Sequence, residues 1–151
     1  MKIVSIAVSR KKGTRKQIVD RAKVIENHGL EGDAHAGPWH RQVSFLASES
    51  IQGAREKGLD VTFGDFAENV ATVGIDWTQL PVGTRVKLGA TVLVEISQIG
   101  KTCHKPCAIY YQAGDCIMPR EGVFARVLKG GEIACGDPVE LVETPPEKHG
   151  I

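Results

Sequence analysis

Short runs in which apolar and polar residues alternate occupy much of this chain. They cover residues 3–8, 18–25, 43–46, 70–73, 85–88, 92–99 and 139–142. A period of two is that of a strand with one buried face. The pattern therefore predicts a mainly β fold. Residues 85–94 should form a hairpin that turns at Gly89 and places Val86 and Leu88 on one face.

Two segments follow a helical pattern instead. Residues 48–57 should form a short amphipathic helix, with Ser48 as its N-cap and Gly58 just past its end. Residues 120–129 carry apolar side chains at helical spacing and stop at a pair of glycines, which predicts a second helix. A few short helices and seventeen glycines suit a closed or nearly closed β-barrel with many tight turns.

The length and composition are those of one globular domain. The chain has 151 residues, of which 42% are hydrophobic and 25% are charged, and this balance is typical of a folded protein with a single core. We expect the domain to span residues 1–143. Residues 144–151 gain proline and lose apolar side chains, so we expect a flexible C-terminal tail.

The overall charge excludes some classes of partner. Nineteen basic and eighteen acidic residues leave a formal charge of +1, which gives no reason to expect a nucleic acid or a membrane as partner.

The first apolar run is too short for a signal peptide, and no run approaches eighteen residues. We therefore expect a cytoplasmic protein.

One local cluster of basic residues stands apart from this neutral balance. It consists of Arg10, Lys11, Lys12, Arg15 and Lys16. The cluster lies between two apolar runs, so it forms either a solvated loop or a loop that contacts an anion.

Thiol chemistry is concentrated in residues 100–116, which hold three cysteines and one histidine. Cytoplasmic cysteines are normally reduced. The imidazole of His104 and the ammonium of Lys105 would lower the pKa of Cys107 and favour its thiolate. Cys107 would then serve as a nucleophile, a persulfide carrier or a soft metal ligand. A cysteine that only packs as a small apolar residue is the simplest alternative.

A zinc site is a further alternative for this segment. The candidate ligands are Cys103, His104, Cys107 and Cys116. Their spacing lacks the paired Cys-x-x-Cys knuckles that are typical of structural zinc.

Three other segments carry polar residues suited to a ligand. In residues 29–43, glycines accompany His35, His40 and Arg41, whose donors suit a phosphate or a pterin. A glycine-rich surface turn with ordinary polar residues would have the same sequence pattern. Glu68 and Asn69 stand at the start of a strand, where they would bond a ligand or close a turn.

Arg126 belongs to the third of these segments and lies among aliphatic residues. We expect its side chain to face inward and to meet an anionic partner there, because a buried guanidinium needs one.

Taken in order, these segments resemble a MOSC domain, the module named for the C-terminal part of molybdenum-cofactor sulfurases. The matching segments are residues 29–35, 41–43, 68–69, 80–83, the surroundings of Cys107, residues 126–128 and residues 136–137. Each motif is weak alone, but the ordered set is specific. It is most similar to the short stand-alone bacterial members of the family.

The resemblance implies a β-barrel like that of pyruvate kinase and a role for the molybdenum cofactor, molybdopterin. In the family, a cysteine matching Cys107 carries sulfur or, in amidoxime-reducing relatives, binds molybdenum. The residues implied for the cofactor cleft are His35, Arg41, Glu68, Asn69 and Arg126. The chain has no room for a pyridoxal-phosphate desulfurase unit, so a partner would supply the sulfur.

The leading hypothesis is a sulfur-carrier or molybdenum-cofactor-binding protein that acts in the maturation of the cofactor or of metal-sulfur centres. Cys107 would be the persulfide acceptor or metal ligand, and Arg41 and Arg126 would hold phosphate or pterin. The expected partner is a cysteine desulfurase or a molybdoenzyme-maturation protein. Exposed sheet edges together with Trp39 and Trp77 would also support a homodimer.

The sequence leaves two alternative functions open. The first is a molybdenum-dependent reductase of N-hydroxylated compounds. The second is a structural zinc-binding module.

Overall fold

The computed structural model describes residues 1–10, 16–34, 36–58, 60, 62–64, 66, 68–99 and 122–143. Within these ranges, eleven strands, one α-helix and one short 3-10 turn succeed one another. They are β1 (Lys2–Val8), β2 (Gln17–Val19), β3 (Arg21–Ile25), β4 (Gly29–Leu30), β5 (Val43–Ala47), α1 (Ser48–Glu56), β6 (Val70–Val73), the 3-10 turn Trp77–Gln79, β7 (Arg85–Leu88), β8 (Val92–Ile99), β9 (Val123–Lys129), β10 (Gly131–Ala134) and β11 (Val139–Glu143). The predicted mainly β fold is confirmed.

Eight strands form one large sheet in the order β11-β7-β8-β9-β5-β6-β1-β2, and β10-β3-β4 form a small one. Only the β5–β6 pair is parallel among these ladders. A bridge between Lys2 and Pro138 brings the start of β11 to β1. The Ile3 N–H also donates to the Asp137 carbonyl at 2.9 Å. The run of strands from β1 to β11 therefore curls until its two ends meet, as a barrel-like fold requires.

The core lies inside this curved sheet. The predicted β7–β8 hairpin is confirmed: Gly89 turns with φ 65°, and Val86 and Leu88 are both buried on one face. Trp77 is 1% exposed, its ring lies 4.6 Å from that of Phe45, and its indole N–H donates to Thr72 Oγ1 at 2.8 Å. This tryptophan belongs to the core, because its polar atom has a partner there.

The first predicted helix is confirmed as α1, which ends before Gly58 at φ 93°. The predicted N-cap is wrong by one residue. Ala47 holds the cap position in an extended conformation without a side-chain hydrogen bond, and the Ser48 hydroxyl donates to Glu49 Oε1 instead.

The carboxylate of Glu49 joins the start of α1 to the end of β6. Partial burial opposes the charged form, but hydrogen bonds from the Gly74 N–H, from its own N–H and from Ser48 outweigh that effect. Together they hold the pKa of Glu49 below its ordinary value.

The second predicted helix is wrong, because residues 123–129 form strand β9. Val123, Ala125 and Val127 lie on one buried face of β9, which pairs with β5 on one side and β8 on the other. The ladder satisfies the backbone that a helix would have bonded internally. The predicted inward direction of Arg126 is wrong for the same reason, because alternation turns this side chain outward and leaves it exposed.

The single run expected at residues 18–25 is also divided. Asp20 separates β2, at the edge of the large sheet, from β3 in the small sheet. One continuous apolar pattern thus serves two sheets, which the alternation alone could not distinguish.

Lys16 and Asp33 form a buried ion pair, and Asp33 also binds the backbone of Ser9. The Oδ1 atom of Asp33 accepts from Lys16 Nζ at 2.7 Å and from the Ser9 N–H at 3.0 Å. Both charged side chains are 0% exposed. Lys16 is therefore used inside the fold, unlike a residue of a solvated loop.

Gln42, which precedes β5, is fully buried and bonds two neighbouring segments. Its Oε1 accepts from the Val127 N–H at 2.8 Å, and its Nε2 donates to Asn27 Oδ1 at 2.9 Å. A Cβ on Gly29 would lie 2.3 Å from the Gln42 carbonyl oxygen. The backbone of residue 29 can approach this closely only because it is glycine.

We predict that Lys16→Met lowers the free energy of unfolding by about 3–5 kcal/mol, because it removes the cation from a buried carboxylate. The double variant Lys16→Met/Asp33→Asn should lose less, since its amide can still accept from Ser9 without a buried charge. Urea unfolding of the wild type, both single variants and the double variant measures the coupling. Additive losses would show that the two side chains do not stabilise each other.

We further predict that Gly29→Ala costs about 3 kcal/mol or more, because φ is 128° and the new methyl would overlap the Gln42 carbonyl. Gly32→Ala is the matched control, with φ 83° and nothing within 4 Å of the added Cβ. It should cost only about 1–2 kcal/mol of backbone strain. Equal urea midpoints for the two variants would contradict the close approach.

Candidate functional site

The sequence-predicted site residues divide into two groups. Cys107, His104, Lys105 and His35 lie outside the described residues. The zinc candidates Cys103 and Cys116 do so as well. Arg41, Glu68, Asn69 and Arg126 are described, and their surroundings can be compared with the predictions.

Arg41 is half-buried just before β5 and is held from three sides. Its Nε donates to Gln98 Oε1 at 2.9 Å. The guanidinium carbon lies 5.2 Å from the centre of the Phe124 ring and 5.9 Å from that of Trp39. Contacts of this kind orient a cation over the electron-rich faces of the rings. Among the described residues, Nη1 and Nη2 of Arg41 have no hydrogen-bond partner.

The backbone next to Arg41 is fixed in the same place. The Ser97 hydroxyl lies within hydrogen-bonding distance of the His40 carbonyl and of the Phe124 carbonyl. This hydroxyl joins the segment before β5 to strands β8 and β9. The histidine side chain itself is exposed and packs edge-on against Trp39, with the ring centres 5.5 Å apart.

Arg41 and its neighbours Gln98 and Phe124 lie where the chain leaves the large sheet after β8 and returns to it at β9. Gln98 is the last residue but one of β8, and Phe124 is the second residue of β9. The two residues pair across the strands, as do Ile99 and Val123. The end of β8 and the start of β9 therefore lie beside Arg41.

Glu68 is buried and closes a turn before β6. Its carboxylate accepts from the Gly64 N–H at 2.7 Å and from the Phe66 N–H at 3.2 Å. These bonds correspond to the turn-closing alternative for this residue. Contact with a ligand stays a prediction.

Asn69 is 1% exposed and joins three strands. Its Oδ1 accepts from the Ser44 N–H at 2.9 Å and from the Ser44 hydroxyl at 3.2 Å. Its Nδ2 donates to the Ala7 carbonyl at 3.1 Å. The amide thus links β5 and β1 at the start of β6, and a role in a cofactor cleft likewise stays a prediction.

Arg126 shares one face of β9 with Phe124, because the two residues are two apart on a strand. Its cross-strand neighbour on β8 is Glu95, whose carboxylate pairs with Arg85 Nε at 3.1 Å. The structure therefore brings Arg41 and Arg126 to the same side of β9. The sequence predicted both arginines but not Gln98 or Phe124. The only sequence signal for Gln98 was that it is a polar residue near the end of an apolar strand.

Metal ligands are not grouped in the part of the chain that the structure describes. No cluster of three His, Cys, Asp or Glu side chains there could hold an ion. Cys135 is an exposed free thiol. An open groove of about 520 Å³ lies between α1 and the 3-10 turn, and Glu49, Asp76 and Trp77 are among its lining residues.

Comparison with known proteins decides the family. The model of the MOSC domain matches residues 31–140. The chain belongs to the MOSC domain family. Membership implies binding related to the molybdenum cofactor or a sulfur-related function at the level of the family.

Solved structures share this fold. The YuaD protein from Bacillus subtilis is similar with a TM-score of 0.76 at 18% identity, over 91% of this chain and 93% of that one. YiiM from Geobacillus stearothermophilus has a TM-score of 0.72 at 26% identity, over 94% and 75%. YiiM from Escherichia coli has a TM-score of 0.68 at 23% identity, over 97% and 72%.

No curated protein matches this MOSC domain chain. Within the described ranges, no helix has the length and apolar character needed to cross a membrane.

We predict that Asn69→Ala lowers the free energy of unfolding by about 2 kcal/mol, because buried groups on β5 and β1 lose a hydrogen-bond partner. Thermal unfolding measures the loss, with Gln52→Ala at an exposed position of α1 as the comparison. An unchanged unfolding midpoint together with lost ligand binding would instead assign Asn69 to the cofactor cleft.

Proposed function

We propose that this MOSC domain protein is a sulfur carrier or a molybdenum-cofactor-binding protein, with Cys107 as the persulfide acceptor or the molybdenum ligand. It would act in the maturation of the molybdenum cofactor or of metal-sulfur centres. The observation that carries the proposal is Arg41, a fixed cation beside the end of β8 and the start of β9.

Chain connectivity permits a common site for the arginine and the thiol. Cys107 follows Ile99 by eight residues, so an extended chain keeps it within roughly 27 Å of the end of β8. A shorter separation needs only that the segment fold back. Arg41 would then bind a negatively charged group while the thiol acts on another part of the same ligand.

The described residues fit the phosphate of a pterin cofactor. The Nη1 and Nη2 groups of Arg41 are parallel donors of the kind that bind a phosphate by two hydrogen bonds. Arg126 adds a second positive charge on the same side of β9. When bound, the cofactor would supply the metal centre, and Cys107 is the ligand that the sequence offers to it.

The sulfur-transfer step needs only a thiolate and a donor persulfide. The Cys107 thiolate would attack the outer sulfur of a persulfide on a partner cysteine desulfurase. A new sulfur–sulfur bond forms at Cys107, and the desulfurase cysteine leaves as a thiolate. His104 and Lys105 would favour the attacking thiolate by their positive charge.

The test compares Cys107→Ser with Cys135→Ser, which removes the exposed thiol of the described region. Each protein is purified from a host that makes the molybdenum cofactor, and its metal and pterin contents are measured. A second sample is incubated with a cysteine desulfurase and cysteine. Intact-mass measurement then detects the addition of one sulfur atom.

The proposal expects near-stoichiometric molybdenum or a persulfide, lost in Cys107→Ser and retained in Cys135→Ser. Bound molybdenum would also permit a direct assay of the reductase alternative on an N-hydroxylated compound. Zinc alone, lost on unfolding, would indicate the structural zinc module. Equal sulfur loading and cofactor content in all three proteins would refute the role of Cys107.

A further inference from the structure

Gln98 controls how the Arg41 guanidinium is presented. A guanidinium can bind an oxyanion through Nε with one Nη or through both Nη groups. Here Nε already donates to Gln98 Oε1. An incoming anion would therefore meet the end formed by Nη1 and Nη2.

The aromatic neighbours restrict the guanidinium further. The Phe124 and Trp39 rings lie within 6 Å of its central carbon. An arginine that is already oriented loses less side-chain entropy when it binds an anion than a free surface arginine does. The arrangement is thus a preformed receptor rather than a flexible positive charge.

The charge of residue 98 is the decisive variable. An amide oxygen orients Arg41 without neutralising it, whereas a carboxylate at 2.9 Å would form an ion pair and cancel the attraction for an external anion. The neighbouring acid Glu95 pairs with Arg85. On the face of β8 and β9 that carries Gln98 and Arg126, the described residues therefore carry more positive than negative charge.

We propose that Gln98 is the positioning residue of an oxyanion receptor in which Arg41 binds a phosphate group end-on. The inference rests on the proposed function, because it names the residue that prepares Arg41 for the phosphate of a ligand. It concerns only phosphate binding and requires no reaction at Cys107.

The experiment titrates the full-length, isotope-labelled protein with inorganic phosphate and follows by NMR the Arg41 side-chain signals and, in every variant, the Phe124 amide and Trp39 indole N–H signals beside residue 41. The variants are Gln98→Glu, Gln98→Leu and Arg41→Lys, and Gln52→Glu is the charge-matched control at an exposed position of α1. A parallel titration with phenyl phosphate distinguishes an organic phosphate ester from free phosphate. Thermal unfolding reports whether each variant is folded.

We expect saturable phosphate binding by the wild type and by Gln52→Glu. Gln98→Glu should weaken it by about tenfold or more, because the new carboxylate neutralises Arg41. Gln98→Leu keeps the charge but releases Nε, so a loss of about threefold is expected. Arg41→Lys should also weaken binding, because an ammonium lacks the two parallel donors.

Stronger binding of phenyl phosphate than of inorganic phosphate would assign the receptor to an organic ester, and equal binding would assign it to free phosphate. Either result supports the receptor if the affinity follows residue 98. No saturable phosphate binding by the wild type would overturn the inference, as would equal affinities in the wild type and Gln98→Leu. If Gln98→Glu does not fold, Gln98→Leu and Arg41→Lys decide the outcome.

Sulfur loading of Cys107 in the same proteins separates the two proposals. Loading that is absent while phosphate binding follows Gln98 would reject the sulfur-carrier role and leave the receptor standing. Normal loading with no phosphate binding would do the reverse.

Discussion

The buried side chain of Gln42 fixes the point at which the chain enters β5. One side-chain oxygen bonds β9 through the Val127 N–H, and the amide nitrogen bonds Asn27 at the β3–β4 turn. Gly29 packs against the same residue's carbonyl. Gln42 therefore links the large sheet to the small one. Its neighbour Arg41 points towards Phe124 and Gln98. An apolar residue at position 42 could fill the space but could not satisfy these buried polar groups.

The polar residues of this protein fall into two kinds. Glu68, Asn69 and the Lys16–Asp33 pair bond the protein's own backbone or each other, and they hold strands and loops together. Arg41 is oriented by its neighbours but keeps donors without a partner among the described residues. The family resemblance implies a place in one cleft for Glu68, Asn69 and Arg41. Their hydrogen bonds show which of them already serve the fold.

The strands were predictable where side-chain alternation coincided with a local turn, as in the β7–β8 hairpin. The failure at β9 has a clear cause. Val123 and Val127 are four residues apart, which suits one face of a helix as well as one face of a strand. Strand pairing with β5 and β8 decided between them. The same decision turned Arg126 outward, so the error in secondary structure also produced the error in side-chain direction.

The sequence by itself determined the β-rich class and the family and predicted Arg41 as a binding residue, because these depend on periodicity and on motifs read in order. Only the tertiary structure decided that Gln98 and Phe124 flank this arginine, that Asp33 binds Lys16 and that Asn69 links three strands. These contacts join residues from 17 to 83 positions apart, counted from Lys16 to Asp33 and from Arg41 to Phe124. Local patterns carry no information on such pairs, since strand order and register bring them together.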